Sequence, residues 1–131
     1  MRWFVLAVLL LCPTVYTHAQ NNIGPTGVDL LEECSIVANS APQHMPVGED
    51  WGKAQHCMGY LSGVTDTLSM LKSLKQLNPS AATVCLPVDG ITMLESAKVV
   101  VKFLNDNPNS LHMSYRMLVL VAFTQAYPCH K

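Results

Sequence analysis

Cysteine carries the clearest chemistry in this 131-residue chain, at four widely spaced positions: Cys34, Cys57, Cys85 and Cys129. A structural zinc site needs closely spaced ligand pairs such as Cys-x-x-Cys, and the spacing here offers none. Disulfide bonds are therefore the better interpretation, although four cysteines allow three connectivities. A fifth cysteine, Cys12, lies in a segment that we expect to be removed.

Other residue types that carry chemistry do not form a recognisable site. Ser62 lies in a Gly-Tyr-Leu-Ser-Gly run, which has the wrong spacing for a nucleophile elbow. The adjacent acidic residues stand at or near helix starts, where they favour the helix dipole. No two histidines are placed four residues apart on one helix as zinc ligands; those beyond the first segment are His44, His56, His112 and His130. We predict a protein that is not an enzyme and that needs no cofactor and no metal.

The elements between the cysteines predict how they pair. Two helix-length apolar patterns separate Cys85 from Cys129, and the polar residues 105–109 form a hinge midway between them. Because short connections favour antiparallel neighbours, the two cysteines should meet at the open end of a helical hairpin. Cys34 and Cys57 lie at comparable distances from an earlier break at residues 39–48, so the same symmetry favours a bond between them. We predict these two disulfides.

Residues 1–19 are typical of a secretory signal peptide. Arg2 precedes an apolar run that is too short to span a bilayer, and Thr17 and Ala19 supply the small residues expected before a cleavage site. We expect cleavage after Ala19 and a single exported domain over residues 20–131. A retained N-terminal anchor is the alternative.

The charge of the chain bears on its partners. The net charge is −1, and no run of basic residues is present. Nucleic acid and an anionic membrane surface are therefore not expected partners.

Helical periodicity predicts an all-α bundle of about four to five helices. We place four of them over residues 27–38, 49–77, 93–106 and 108–126. Thr26 with Asp29, and Thr92 with Glu95, predict caps before the first and third helices. The fourth helix is apolar nearly all round over residues 117–123, so it must be central or packed on a second copy of the chain.

Two glycines interrupt the long second helix. Gly59 and Gly63 lie about one turn apart, and a glycine inside a helix costs about 1 kcal/mol relative to alanine. Tyr60 lies beside this stripe and Asp66 continues it. The favoured interpretation is close approach by another helix of the same domain; the alternative places the stripe at a binding or dimer surface.

An ordered series of motifs runs through the second half of the chain. It begins with Cys57-Met-Gly59-Tyr60-Leu-Ser-Gly63-Val-Thr-Asp66 and ends with Ala126-Tyr127-Pro128-Cys129. Between them lie Cys85-Leu86-Pro87, Phe103-Leu104 and Asn107-Pro108. The series resembles the Rap and Tai immunity proteins, which protect Gram-negative bacteria against amidase toxins delivered by type VI secretion. The chain departs from the family at Asn107, where a histidine is frequent, and around residues 89–91.

This resemblance implies a helical, periplasmic homodimer that binds a secreted cysteine amidase and obstructs its substrate groove. Two other functions remain open for a small exported helical protein. One is a stress chaperone without a toxin partner. The other is a carrier that encloses an apolar ligand between its helices.

The contact with an amidase would need a protruding element on a rigid base, because ordering a flexible loop on binding lowers affinity. Two segments qualify, although either could be an ordinary solvated connection. The favoured one, residues 76–84, is tethered by Cys85 and offers Asn78, Ser80 and Thr83. The second is the hinge, residues 105–110, which offers Asn105, Asn107 and Asn109.

Overall fold

The structure is a computed structural model that describes residues 24–41, 46–75 and 84–129. These ranges contain four α-helices, namely α1 (Gly27–Asn39), α2 (Glu49–Lys75), α3 (Met93–Asp106) and α4 (Tyr115–Ala126). A short 3₁₀ helix, Pro108–Ser110, precedes α4. Within the same ranges the only extended pairings are two isolated bridges, so the predicted all-α bundle is confirmed. The predicted signal peptide lies outside the described residues.

Helix α1 organises the bundle, because it packs against α2, α3 and α4. Its buried positions, Leu30, Cys34 and Val37, recur at helical spacing and face a single apolar core. The other helices contribute large, fully buried side chains to this core, among them Leu61, Leu104 and Phe123. Helix α1 thus contacts each of the other three α-helices.

The predicted caps are present at the starts of α1 and α3. The Thr26 amide donates to the Asp29 carboxylate at 2.7 Å. At α3 the bonding is reciprocal: the Thr92 amide donates to Glu95 at 2.8 Å, and the Glu95 amide donates to the Thr92 hydroxyl at 3.2 Å. These bonds satisfy backbone groups that have no partner within the helix, and they locate both helix starts.

The fourth helix starts later than the sequence predicted. After α3 ends, the hinge contains only the 3₁₀ helix Pro108–Ser110, and α4 begins at Tyr115 rather than near residue 108. The intervening backbone pairs with the entry to α1: the Gly27 amide donates to the Met113 carbonyl at 3.0 Å, and the Tyr115 amide donates to the Pro25 carbonyl at 3.2 Å. This pairing engages backbone groups that a continuous helix would use internally.

Two disulfides join the pairs that the sequence predicted. Cys34 of α1 is bonded to Cys57 of α2, with 5.3 Å between their Cα atoms. Cys85 is bonded to Cys129 at the open end of the α3–α4 hairpin, with 4.9 Å between Cα atoms. The second bond is reinforced by the Cys85 amide, which donates to the Tyr127 carbonyl at 2.9 Å.

Candidate functional site

An apolar groove of about 460 Å³ lies between α2 and α4. Few backbone contacts join these two helices, although their side chains meet where Tyr60 packs on Tyr115. Arg116 is the only charged side chain among the described residues that line the groove. The apolar lining includes Val64, Leu68 and Leu71 from α2 and Val119 and Leu120 from α4. Such a groove suits an apolar surface of another protein.

Gly59 and Gly63 line this groove and face open space. A Cβ atom added to either glycine would have no neighbour within 4 Å in the part of the chain that the structure describes. The favoured sequence interpretation, close approach by another helix of the same domain, is therefore wrong for the described residues. The alternative, an external binding surface, stays a proposal. Asp66 is exposed further along α2.

Tyr60 forms part of the groove wall. Its ring packs edge-on against Tyr115, with 5.2 Å between the ring centroids and 67° between the planes. Burial raises the pKa of Tyr60, and the nearby Arg116 opposes that rise. The neutral ring therefore acts as a fixed, largely apolar part of the groove, with its position set by Tyr115 behind it.

Glu33 fixes Tyr115 from the other side. The Tyr115 hydroxyl donates a hydrogen bond to Oε2 of Glu33, and Nδ1 of His56 lies 2.7 Å from the same oxygen. Burial, followed by the Glu33 carboxylate, raises the pKa of Tyr115. One carboxylate thus joins α1, α2 and α4 beneath the groove.

This cluster of Glu33, His56 and Tyr115 was missed by the sequence reasoning, which treated Glu33 as a helix-start acid. A signal for part of it was present. Glu33 and His56 immediately precede Cys34 and Cys57, so the predicted disulfide already placed them side by side. No local pattern pointed to Tyr115.

Helix α4 has one buried apolar face and one exposed apolar face. One face supplies Leu118, Val119, Ala122 and Phe123 to the core. The other face carries Met117 and Leu120, which are 50% and 42% exposed. On α2, Met70 lies two helical turns beyond Gly63 and is 61% exposed. Apolar side chains therefore border the groove on both helices.

The two predicted inhibitory segments have different outcomes. Asn78, Ser80 and Thr83 lie outside the described residues. In the hinge, Asn105 and Asn109 are exposed. The Asn107 side chain donates to the Phe103 carbonyl at 2.8 Å and so terminates α3.

Two further features bear on the class of protein. In residues 24–41, 46–75 and 84–129, no group of three or more histidine, cysteine or acidic side chains is placed to hold a metal ion. No helix within these ranges is both long enough and apolar enough to cross a membrane.

The fold defines a small, disulfide-bonded helical protein with an apolar groove between α2 and α4. The family model described as Rap1a immunity proteins matches residues 26–129, and the chain belongs to this family. The resemblance seen in the ordered motifs is thereby confirmed. Searches of curated proteins and of solved structures found no significant match.

Proposed function

We propose that this protein is an exported immunity protein that binds a secreted cysteine amidase of a type VI secretion system and blocks its substrate groove. Membership of the Rap1a immunity family carries the proposal. The two disulfides support it independently, because such bonds persist in oxidising compartments such as the periplasm. An amidase that cleaves peptidoglycan peptides would act in that compartment.

The test is inhibition of purified type VI cysteine amidases acting on isolated peptidoglycan. The mature chain should inhibit at least one amidase stoichiometrically, and the first to assay is any amidase encoded beside its gene. In cells, the protein should protect against that toxin when it is directed to the periplasm. Failure to inhibit any amidase would contradict the proposal.

Export and domain organisation belong to the same proposal. Residues 1–19 would be removed, and residues 20–131 would form the mature domain. Mass spectrometry of the protein recovered from a periplasmic extract should give a chain that starts at Gln20. A chain that retains Met1 would favour the N-terminal anchor.

The protein would act as a homodimer joined through the α2–α4 groove. In an isologous dimer the same patch serves both copies, so the exposed Met117 and Leu120 of each copy would enter the groove of the other. Exposed charges of opposite sign, Asp66 on α2 and Arg116 on α4, allow reciprocal pairing across such an interface. The groove would then be covered by a surface of matching polarity.

The two glycines support this placement on energetic grounds. In an exposed helix interior each costs about 1 kcal/mol relative to alanine. Nothing among the described residues approaches them closely enough to explain that cost. A helix of a second copy, packed directly on the α2 backbone, would explain it.

Sedimentation at tens of micromolar tests the dimer, since dissociation depends on protomer concentration. The mature protein should sediment as a dimer, and Leu120→Asp should sediment as a monomer. Val28→Asp is the matched control, because Val28 is an exposed apolar residue on α1 outside the groove. A monomeric wild-type protein would contradict the proposal.

The contact with the amidase remains proposed for residues 76–84. Replacement of residues 78–83 by glycine and serine should abolish inhibition while leaving helicity and the dimer intact. A variant that still protects cells would place the contact elsewhere. Co-purification of a small apolar molecule would instead favour a carrier, and acid-induced loss of the dimer with exposure of apolar surface would favour a chaperone.

A further inference from the structure

Residues 87–90 form a turn that stands away from the core. The Gly90 amide donates to the Pro87 carbonyl at 3.1 Å, and Gly90 has a φ of 77°, which favours glycine. All four residues are exposed. Val88, at 92% exposure, is the most exposed large apolar side chain among the described residues. An apolar side chain therefore stands at the tip of a tight turn.

The chain is fixed immediately before this turn. Cys85 is bonded to Cys129, and Leu86 is 4% exposed. The Lys72 ammonium group of α2 donates to the Leu86 carbonyl at 2.8 Å. Three different contacts therefore hold the residues that lead into the turn.

The chain is fixed again soon after it. Ile91 packs against the core, and Thr92 begins α3 through its reciprocal bonds with Glu95. The turn is thus a short projection between two anchored ends. Because both ends are held, the turn should keep nearly the same shape when it binds a partner. Little conformational entropy would therefore be lost on binding.

The tip leaves polar backbone groups available. The backbone groups of Val88 and Asp89 make no hydrogen bond within the part of the chain that the structure describes. With the Val88 side chain and the Asp89 carboxylate, they form a compact peptide surface. A cleft that normally binds peptide would recognise these features.

We infer that the Val88 turn, residues 87–90, enters the substrate groove of the amidase. The Val88 side chain fills an apolar subsite, and the Val88–Asp89 peptide group takes hydrogen bonds that the enzyme offers to its peptide substrate. This inference rests on the proposed function and extends the proposed contact from residues 76–84 to the turn beyond Cys85. The turn follows directly after the segment proposed from sequence, beyond the Cys85 anchor.

The Val88 turn and the α2–α4 groove use different faces of α2. Ser69, Lys72 and Ser73 border the turn, whereas Gly59 and Gly63 line the groove. At 100° per residue, Lys72 lies on the side of α2 opposite to Gly63. A dimer joined through the groove would therefore leave both turns free to bind amidase.

A charge at the tip tests the contact. Val88→Asp should weaken inhibition by about 30-fold or more, the loss expected for a central interface anchor. Val47→Asp is the matched control, because Val47 is 82% exposed in a loop before α2. The probe is a purified type VI cysteine amidase that the wild-type chain inhibits, assayed on isolated peptidoglycan. Circular dichroism should show unchanged helicity in both variants.

A second pair of variants tests the shape of the turn. Gly90→Ala should weaken inhibition by roughly fivefold or more, because alanine strains a backbone of positive φ. Gly48→Ala carries the same type of strain at a φ of 62°, also in open space, and should inhibit as wild type does. If Gly90→Ala inhibits as well as wild type, the idea that the amidase recognises the fixed shape of the turn is overturned.

The outcomes separate the inference from the function on which it rests. If the wild-type chain inhibits an amidase and Val88→Asp inhibits it equally well, the inference is overturned and the proposed function stands. If the wild-type chain inhibits no amidase, both the inference and the proposed function are contradicted. Selective loss with Val88→Asp and Gly90→Ala supports both.

Discussion

The hydroxyl of Tyr115 on α4 donates a hydrogen bond to the carboxylate of Glu33 on α1, across 82 residues of sequence. Tyr115 is 3% exposed, and the Glu33 side chain is 18% exposed. The same carboxylate contacts His56 of α2, beside the Cys34–Cys57 bond. Removal of this single hydroxyl would therefore loosen the attachment of α4 beneath the groove.

Tyr115→Phe should lower the free energy of unfolding by roughly 1–2 kcal/mol at neutral pH, through loss of a hydrogen bond to a charged group. The folded state raises the pKa of Tyr115 above its ordinary value of 10.0. The stabilising contribution is therefore complete below about pH 10 and declines as the pH rises further. Denaturant titrations from pH 8 to 11 should show the gap between wild type and variant narrowing. A gap that stays constant would contradict the role of the neutral hydroxyl.

Cys129→Ser should lower the free energy of unfolding by roughly 2–5 kcal/mol, because the bond closes a long loop in the unfolded chain. Non-reducing peptide mapping of the wild-type protein should recover Cys34 with Cys57 and Cys85 with Cys129. A variant as stable as wild type, or a peptide that joins Cys57 to Cys129, would contradict this prediction.

Gly27→Ala should destabilise the fold by roughly 1–3 kcal/mol through overpacking. An added Cβ would lie 2.5 Å from a Leu118 side-chain carbon and 2.9 Å from backbone atoms of Leu111. Thermal unfolding measures the effect, and Gly24→Ala is the control because nothing lies within 4 Å of a Cβ added there. If Gly27→Ala and Gly24→Ala melt at the same temperature, the start of α1 can move away from Leu111 and Leu118 without cost.

Gly63→Ala should have the opposite effect on the protomer. Alanine fits in the open space and should raise its stability by roughly 0.5–1 kcal/mol. Under the proposed dimer it should also weaken association, because the added methyl group holds the second copy away. Unfolding and sedimentation of the same variant separate the two effects. Unchanged association would show that Gly63 does not lie in the dimer interface.

Ser96→Ala should stabilise the protein by about 1 kcal/mol. The Ser96 hydroxyl is fully buried in α3 and has no hydrogen-bond partner within the described residues. Removing it also removes the cost of desolvating an unpaired polar group. Chemical denaturation of the variant checks the sign, and a clear loss of stability would indicate that the hydroxyl has a partner in solution.

Local sequence rules predicted much of the fold, namely the helix caps, the helices and the disulfide pairs. The caps at Thr26 and Thr92 depend on residues three positions away, so their bonds follow from a short motif. The helices follow from apolar periodicity, and the disulfide pairs follow from helical hairpins with cysteines at comparable distances from each break. The ordered motifs from Cys57 to Cys129 led to the family for the same reason, since they keep their spacing along the chain.

Only the tertiary structure decided the start of α4, the empty space beside Gly59 and Gly63, and the Glu33–Tyr115 bond. Each depends on segments that are distant in sequence: Gly27 engages Met113, and the groove beside the two glycines lies between α2 and α4. The sequence predicts that Gly59 and Gly63 are costly in a helix interior, but it does not say what lies beside them. Helical periodicity shows which residues share one face of a helix. Which other helix packs against that face depends on the packing of the whole chain.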